Sequence, residues 1–255
     1  MYTAFERKAN YGSGCLYLLA YTKVPRNIPT GSKIIDEYLG GGLVAGTINL
    51  IYGEAETGKT TLATQCAANC AKQLHKTLFV DCDDTFSVER LSQITSKRFK
   101  ETAENIVLVK PRNFREQATI IDQLTEYTSN NFTLTIFDTF TSLYRLMVSE
   151  SPSKTFELNR ELNRQLAVLS QTAKISKITL LMTSQVRSVI DQIPTIVEPV
   201  ATRVLKFWAN VIIALTPTEN FQIVKMTLEK NPHKLQSKTH FLMIEKSGIH
   251  DYSDH

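Results

Sequence analysis

The sequence predicts an α/β fold in which a mostly parallel central sheet is flanked by helices and extended by C-terminal antiparallel strands. Three observations predict it. Apolar strand-like runs alternate with helical segments from Ile48 to Thr183, the glycine-rich stretch GEAETGKT joins the first such strand to the first helix, and three apolar runs separated by turns follow Trp208. Strands covered on both faces read as nearly continuous apolar runs, and each parallel pair needs a right-handed crossover between its members.

In chain order, INLIY (Ile48–Tyr52) is a buried-type strand, and Lys59–Leu74 carries apolar and small residues at helical spacing. The alternation continues through strand Thr77–Asp81, a helix from about Ser87, strand Asn105–Val109, helix Phe114–Thr128, strand Leu134–Asp138, helix Thr155–Thr172 and strand Ile178–Thr183. VIIALT, FQIVKMTLE and THFLMIE then read as antiparallel strands. Residues 1–26 show no periodicity and are read as an N-terminal arm; residues 27–255 are read as one core domain. With 255 residues, 42% of them apolar, the chain is long enough to bury such a core. No internal repeat is visible.

Composition narrows the function classes. Four cysteines (Cys15, Cys66, Cys70 and Cys82) form no pair of CxxC clusters, which argues against a zinc site or a disulfide framework. The apolar run CLYLLAY near the N-terminus is far short of the roughly 20 residues a membrane span needs, so a soluble, cytoplasmic protein without a membrane partner is expected. A net charge of +4 permits a polyanionic partner without requiring one.

The chemistry concentrates at Gly53–Thr60, which matches GxxxxGK[ST] and sits where the mechanism requires, after a strand and opening a helix. Gly53 and Gly58 let the backbone curl so that N–H groups of Glu54, Ala55, Glu56 and Thr57 face phosphate oxygens, with the helix N-terminus and Thr61 beside them. Lys59 is expected to reach the terminal phosphates, and Thr60 to offer its hydroxyl to Mg2+. LTIFD ends in Asp138, which places a carboxylate at the carboxyl edge of the sheet where it can hold Mg2+ through water.

These residues resemble a known family. Ile28–Gln65, IPTGSKIIDEYLGGGLVAGTINLIYGEAETGKTTLATQ, is similar to the opening of RecA/RadA-type recombinase ATPase cores, and most of all to the archaeal RadB branch, which lacks the helix-hairpin-helix N-terminal domain. VDCDDTFSVERL, FDTFTSLYRL, ELNRELNRQLAVL with TSQV, and LKFWANVI with LEKNPHK agree in order as far as about Gly248. The resemblance implies a RecA-type P-loop ATPase core that binds ATP and Mg2+. It also implies binding to single-stranded or branched DNA, and a role assisting homologous recombination and DNA repair rather than exchanging strands. A recombinase, a junction-resolving nuclease or a replication protein would be the partner. Two other readings remain: an active DNA-dependent ATPase forming filaments, and a KaiC-like signalling ATPase that binds no DNA.

The resemblance also assigns residues. Asp83 stands where similar proteins carry the glutamate that polarises the attacking water, one methylene shorter, and Asp84 stands where they carry glycine. A carboxylate set back by about 1 Å can lose on the order of a hundredfold in rate, so slow hydrolysis is expected. Arg90 is implied to lie on the adenine face with Gln93 nearby; the alternative is a surface ion pair of Arg90 with Glu89 or Asp84. Gln185 matches the glutamine that senses the terminal phosphate, while Ser184 replaces the usual asparagine. Val148–Thr155 occupies the place of the first DNA loop, with Lys154 at its end. Arg160 and Arg164 follow at i, i+4, where they would neutralise phosphates or else pair with Glu157 and Glu161. Arg187 opens a second loop region, Arg187–Arg203, that lacks the glycine-rich, basic character of a strand-exchange loop. Tyr17–Ala20 resembles the aromatic-x-x-Ala plug of recombinase oligomers, and Lys230 is placed to approach ATP across a subunit boundary or to be a plain hairpin charge.

Overall fold

The structure is a computed structural model, and it describes residues 27–128, 132–186, 200–232 and 237–252. The N-terminal arm with its plug-like Tyr17–Ala20, and Arg187 with most of the second loop region, lie outside the described residues.

A two-residue strand β1 (Asn27–Ile28) leads to helix α1 (Lys33–Tyr38), strand β2 (Leu43–Val44) and strand β3 (Ile48–Gly53). Helix α2 (Lys59–Lys72) and strand β4 (Lys76–Asp81) follow, then α3 (Val88–Thr95), α4 (Phe99–Ala103) and β5 (Ile106–Val109). Next come α5 (Phe114–Asp122), α6 (Leu124–Thr128), β6 (Phe132–Asp138), α7 (Ser142–Glu150), α8 (Thr155–Ser176) and β7 (Thr179–Gln185). The chain closes with α9 (Val200–Trp208), β8 (Val211–Pro217), β9 (Ile223–Lys230), β10 (Lys238–Glu245) and β11 (Gly248–Asp251). The predicted helix Phe114–Thr128 is thus two helices that break at Gln123.

Nine strands form one sheet in the order β11-β10-β9-β8-β3-β7-β6-β4-β5. From β8 to β5 all neighbours are parallel; from β8 to β11 they are antiparallel. Apolar side chains cover both faces, as the continuous apolar strand runs require. On one face Leu50, Leu78, Phe137 and Leu180 pack under Leu162, Leu166 and Leu169 of α8. On the other, Ile51, Phe79, Ile136 and Leu181 pack under Leu62, Cys66 and Cys70 of α2. Together the two cores exclude water from β8, β3, β7, β6 and β4, and burial of this apolar area is the main driving term for the fold.

Two polar hubs tie the first and last described elements together, one through α2 and one directly. Gln65, buried in that helix, donates to Thr30 O and Ile249 O and accepts from Ile249 N at 2.7 Å. Asp251 accepts from Lys33 N at 2.8 Å and from the Ser32 hydroxyl, so the last strand caps the first helix. The C-terminal hairpin is thereby held against α2 and the loop that precedes α1.

Candidate nucleotide site at the carboxyl edge of the sheet

Parallel strands end on the same side, and here four adjacent strand ends carry the predicted site. Gly53 at the end of β3 pairs with Gln185 at the end of β7, and Asp81 at the end of β4 pairs with Asp138 at the end of β6. Sheet order therefore gathers the glycine-rich loop, Gln185, Asp138 and the acidic turn along one edge, the usual place for ligands in open α/β sheets.

Backbone shape explains the glycines of the loop. A Cβ on Gly53 would lie 2.1 Å from Leu215 O of neighbouring β8, and Gly58 turns the chain into α2 at φ 83°, where a Cβ would press on Ile244 and Ile249. Glu56 takes the left-handed conformation at φ 62°. A cavity of about 220 Å³ is lined by Glu56, Gly58, Lys59, Thr60, Thr61 and, from β10, Ile244.

Lys59 is almost fully buried, and its ammonium donates to Glu54 O and, at 3.4 Å, to Thr57 Oγ1. Burial pushes its pKa down; the charges of Asp138 and Asp83 oppose this, while Arg145 adds to it. Asp138 is fully buried, accepts from the Thr183 hydroxyl, and has no partner for Oδ2. Burial raises its pKa to about 6 against the lowering effect of the nearby Thr183 and Thr60 hydroxyls. The Asp138–Thr139 peptide is cis.

The VDCDDTF turn is more ordered than its run of acids suggests. Asp81 accepts from Thr85 N at 3.0 Å and Phe86 N at 3.2 Å, so it closes the turn. Asp83 accepts from Thr85 Oγ1 at 3.0 Å. Asp84 adopts φ 58°, the conformation that glycine takes most easily, and its carboxylate pairs with Lys110. The second acidic charge beside Asp83 is therefore compensated by a cation that no sequence signal near the turn announces.

The remaining assigned residues are placed as follows. Arg90 donates to Glu245 O at 2.7 Å, and to Lys246 O and Gln93 Oε1 at 3.2 Å, which sets its guanidinium on the β10–β11 turn next to Ile244. Glu89 bonds Gln93 and Asp84 bonds Lys110, so neither supplies the ion pair considered for Arg90. Gln185 lies beside Gly53, its carbonyl accepting from Arg145 at 2.9 Å, and Ser184 is buried 3.2 Å from Thr141 Oγ1. Val148–Glu150 form the last residues of α7 and Pro152–Lys154 a 3-10 turn, so the expected first loop is a tight helical corner. Lys154 and Arg160 are exposed there. Arg164 instead forks onto Asp122 at 2.7 Å and Glu161 at 2.8 Å, and both carboxylates hold its pKa above the ordinary arginine range. Lys230 donates to Ala209 O within its own chain. Lys110, Arg145, Thr183 and Ile244 join the site without having been singled out in the sequence; Thr183 and Arg145 fall inside matched motifs, whereas Lys110 and Ile244 arrive by strand order alone.

The family model described as Rad51 matches residues 23–252. The chain belongs to the Rad51 family. The DNA repair and recombination protein RadB of Methanococcus maripaludis strain C7 is 29% identical over 216 residues, covering 85% of this chain and 97% of that protein. The protein of the same name from Methanocaldococcus jannaschii is 30% identical over 215 residues, covering 84% of this chain and 97% of that one. A crystal structure of the RadB recombinase superposes with a TM-score of 0.75 at 30% identity, covering 89% of this chain and all of that chain. The RecA-type core and the likeness to archaeal RadB read from the motifs thus hold for this Rad51-family chain, including the C-terminal antiparallel extension.

Proposed function

We propose that this Rad51-family chain binds ATP with Mg2+ at the carboxyl edge of its sheet, hydrolyses it slowly, and binds single-stranded or branched DNA as an accessory to homologous recombination and repair. The observation that carries the nucleotide reading is the buried Asp138 carboxylate, whose Oδ2 lacks a hydrogen-bond partner while Thr60 of the glycine-rich loop lies near enough to lower its pKa. An unpartnered buried carboxylate oxygen is costly, and a hard divalent cation with its waters satisfies it. The residues therefore fit Mg2+, with Thr60 and Asp138 holding it. When bound, the cation would neutralise charge on the phosphate oxygens.

This chain's own groups would do the rest. Glu54–Thr61 would cradle phosphates with backbone N–H groups, and Lys59 would exchange its two loop partners for phosphate oxygens. Arg90 and Gln93 would face the base beside Ile244. Asp83 would orient a water and accept its proton as the water oxygen bonds the terminal phosphorus and the bond to the bridging oxygen breaks, giving ADP and phosphate. Gln185, next to the loop, would report the terminal phosphate to the DNA-facing segments. Lys154, Arg160 and Arg187 supply the cations for DNA in this reading, with Arg164 already held by carboxylates. The names of the relatives as DNA repair and recombination proteins support the cellular role. A recombinase, junction-resolving nuclease or replication protein as partner, a cytoplasmic site of action and self-association are part of the same proposal. No described helix is long and apolar enough to cross a membrane.

The test is ATP binding and turnover measured with and without single-stranded DNA. Lys59→Ala should weaken ATP binding about 10- to 100-fold, the range expected for hydrogen bonds to a charged group, while circular dichroism stays native. Unchanged affinity in the folded variant removes the site assignment. Turnover strongly stimulated by DNA together with filaments would favour an active recombinase, and closed rings that bind no DNA a signalling ATPase.

A further inference from the structure

The turn after β4 places three carboxylates within four residues, and one cation from the edge strand meets two of them. Lys110 is the first residue beyond β5, whose Val109 pairs with Val80 of β4. Its ammonium bonds Asp84 Oδ1 and lies 3.6 Å from Asp81 Oδ2. Asp81 is the carboxylate that closes the turn through the Thr85 and Phe86 amides. Between the two lies Asp83, bonded only to Thr85 Oγ1 among the described residues and close enough to Lys59 and Asp138 for its charge to act on both.

We propose that Lys110 is a positioning residue for Asp83: by pairing with Asp84 and Asp81 it holds the turn so that the Asp83 carboxylate is presented to the nucleotide edge. The inference rests on the reading of Asp83 as the group that orients the attacking water. The chemistry follows from charge. Asp84 takes a left-handed backbone conformation that a non-glycine residue adopts only at a cost, and the Lys110 pairing helps hold it there. Without the cation, Asp81, Asp83 and Asp84 repel one another, and the turn relaxes by moving its least anchored members. Asp84, which Lys110 had held, is released, and Asp83, anchored by one hydroxyl, shifts with it, whereas Asp81 stays on two amides. A shift of about 1 Å at such a carboxylate is enough to lose on the order of a hundredfold in rate. The Lys110 side chain is half exposed, so the pairing contributes little to global stability and its effect is local.

The experiment uses the full chain with Mg-ATP in single-turnover mode, enzyme in excess. Lys110→Met should slow hydrolysis at least about tenfold while ATP affinity changes less than about twofold, and Lys110→Arg should retain most of the rate. In an Asp84→Gly background the penalty of Lys110→Met should shrink, because the charge that Lys110 mainly meets is gone. In the nucleotide-free protein the Thr85 and Phe86 amides should keep their slow exchange in Lys110→Met with the melting temperature unchanged, because Asp81 still holds them. Asp83→Asn separates the two levels of the argument. If Asp83→Asn leaves turnover intact, or the parent shows none, the role of Asp83 fails and that of Lys110 falls with it. If Asp83→Asn abolishes turnover and Lys110→Met does not slow it, Lys110 alone is overturned. A loss of ATP affinity in step with the rate also overturns it, since that marks collapse of the binding loop rather than displacement of one carboxylate.

Discussion

Asp138 is a charge that burial strains. Its pKa rises from 3.8 to about 6 because burial outweighs the lowering effect of the nearby Thr183 and Thr60 hydroxyls, a difference of about 3 kcal/mol between protonation states. The folded value lies above the unfolded one, so the nucleotide-free protein has this stability in full below about pH 4 and loses it as pH rises through about 6. Asp138→Asn should therefore raise the melting temperature of the nucleotide-free protein at pH 8 by several degrees, while weakening Mg2+-dependent ATP binding. A lower melting temperature at pH 8, read by differential scanning calorimetry, would show that the carboxylate is not strained. Asp83 makes a second residue-scale prediction. Asp83→Glu restores the missing methylene with Lys110 still meeting Asp84, so kcat should rise with little change in ATP affinity. Lys59, Thr60 and Asp138 were legible in the sequence because each belongs to a strand-loop pattern whose chemistry depends on neighbours in the chain. The Lys110–Asp84 pair was not, because 26 residues separate its members and only the β4–β5 pairing joins them.

At the scale of elements, the α7–α8 corner decides what the basic face can do. Arg164 spends both arms of its guanidinium on Asp122 and Glu161, whereas Lys154 and Arg160 are exposed at the corner and the first turns of α8. The pattern allowed Arg164 either fate, with Glu161 the neighbour in view; Asp122 of α5 comes from a different helix. Replacing Lys154 and Arg160 together with Ala should weaken single-stranded DNA binding and flatten its salt slope by about 1.4, at roughly 0.7 per phosphate contact. Arg164→Ala should leave that slope unchanged and cost no more than about 1 kcal/mol of stability, because the cluster is partly exposed and screened. A double variant with the parental slope would place the DNA surface elsewhere. Elements missed in the sequence share a cause. Helix α1, α7 and α9 are six to nine residues long, too short for a clear helical period, and β11 contributes a single buried apolar side chain, Ile249, so its strand state comes from pairing with β10. In α9, Ala201, Leu205 and Trp208 stand at helical spacing within a stretch otherwise read as loop and strand approach.

Across the whole molecule, function depends on the order of strands rather than on any one of them. The close approach of Gly53 to Leu215 O joins β3 to β8, and with it the parallel sheet to the antiparallel extension that brings Ile244 to the cavity. Gly53→Ala should push these strands apart and lower the melting temperature by far more than Lys59→Ala does, since a backbone carbonyl 2.1 Å from the new Cβ cannot turn aside as a side chain can. Equal melting temperatures for the two variants would contradict this. At the other edge of the sheet β5 leaves Val107 and Leu108 partly exposed.

By itself the sequence determined the alternation of strands and helices, the glycine-rich loop, the acid at the end of β6 and the resemblance to RecA/RadA-type cores. Each of these is a property of contiguous residues: strand and helix periods, backbone freedom at glycine, and a carboxylate at a strand end. Only the tertiary structure decided that Asp84 is neutralised by Lys110, that Arg164 is held by Asp122, that Arg90 docks on the β10–β11 turn and that Ile244 walls the cavity at the glycine-rich loop. Charges and walls of that kind depend on which strand lies beside which. That order is settled by how the two apolar faces bury each other over the whole chain, and not by any local run of residues.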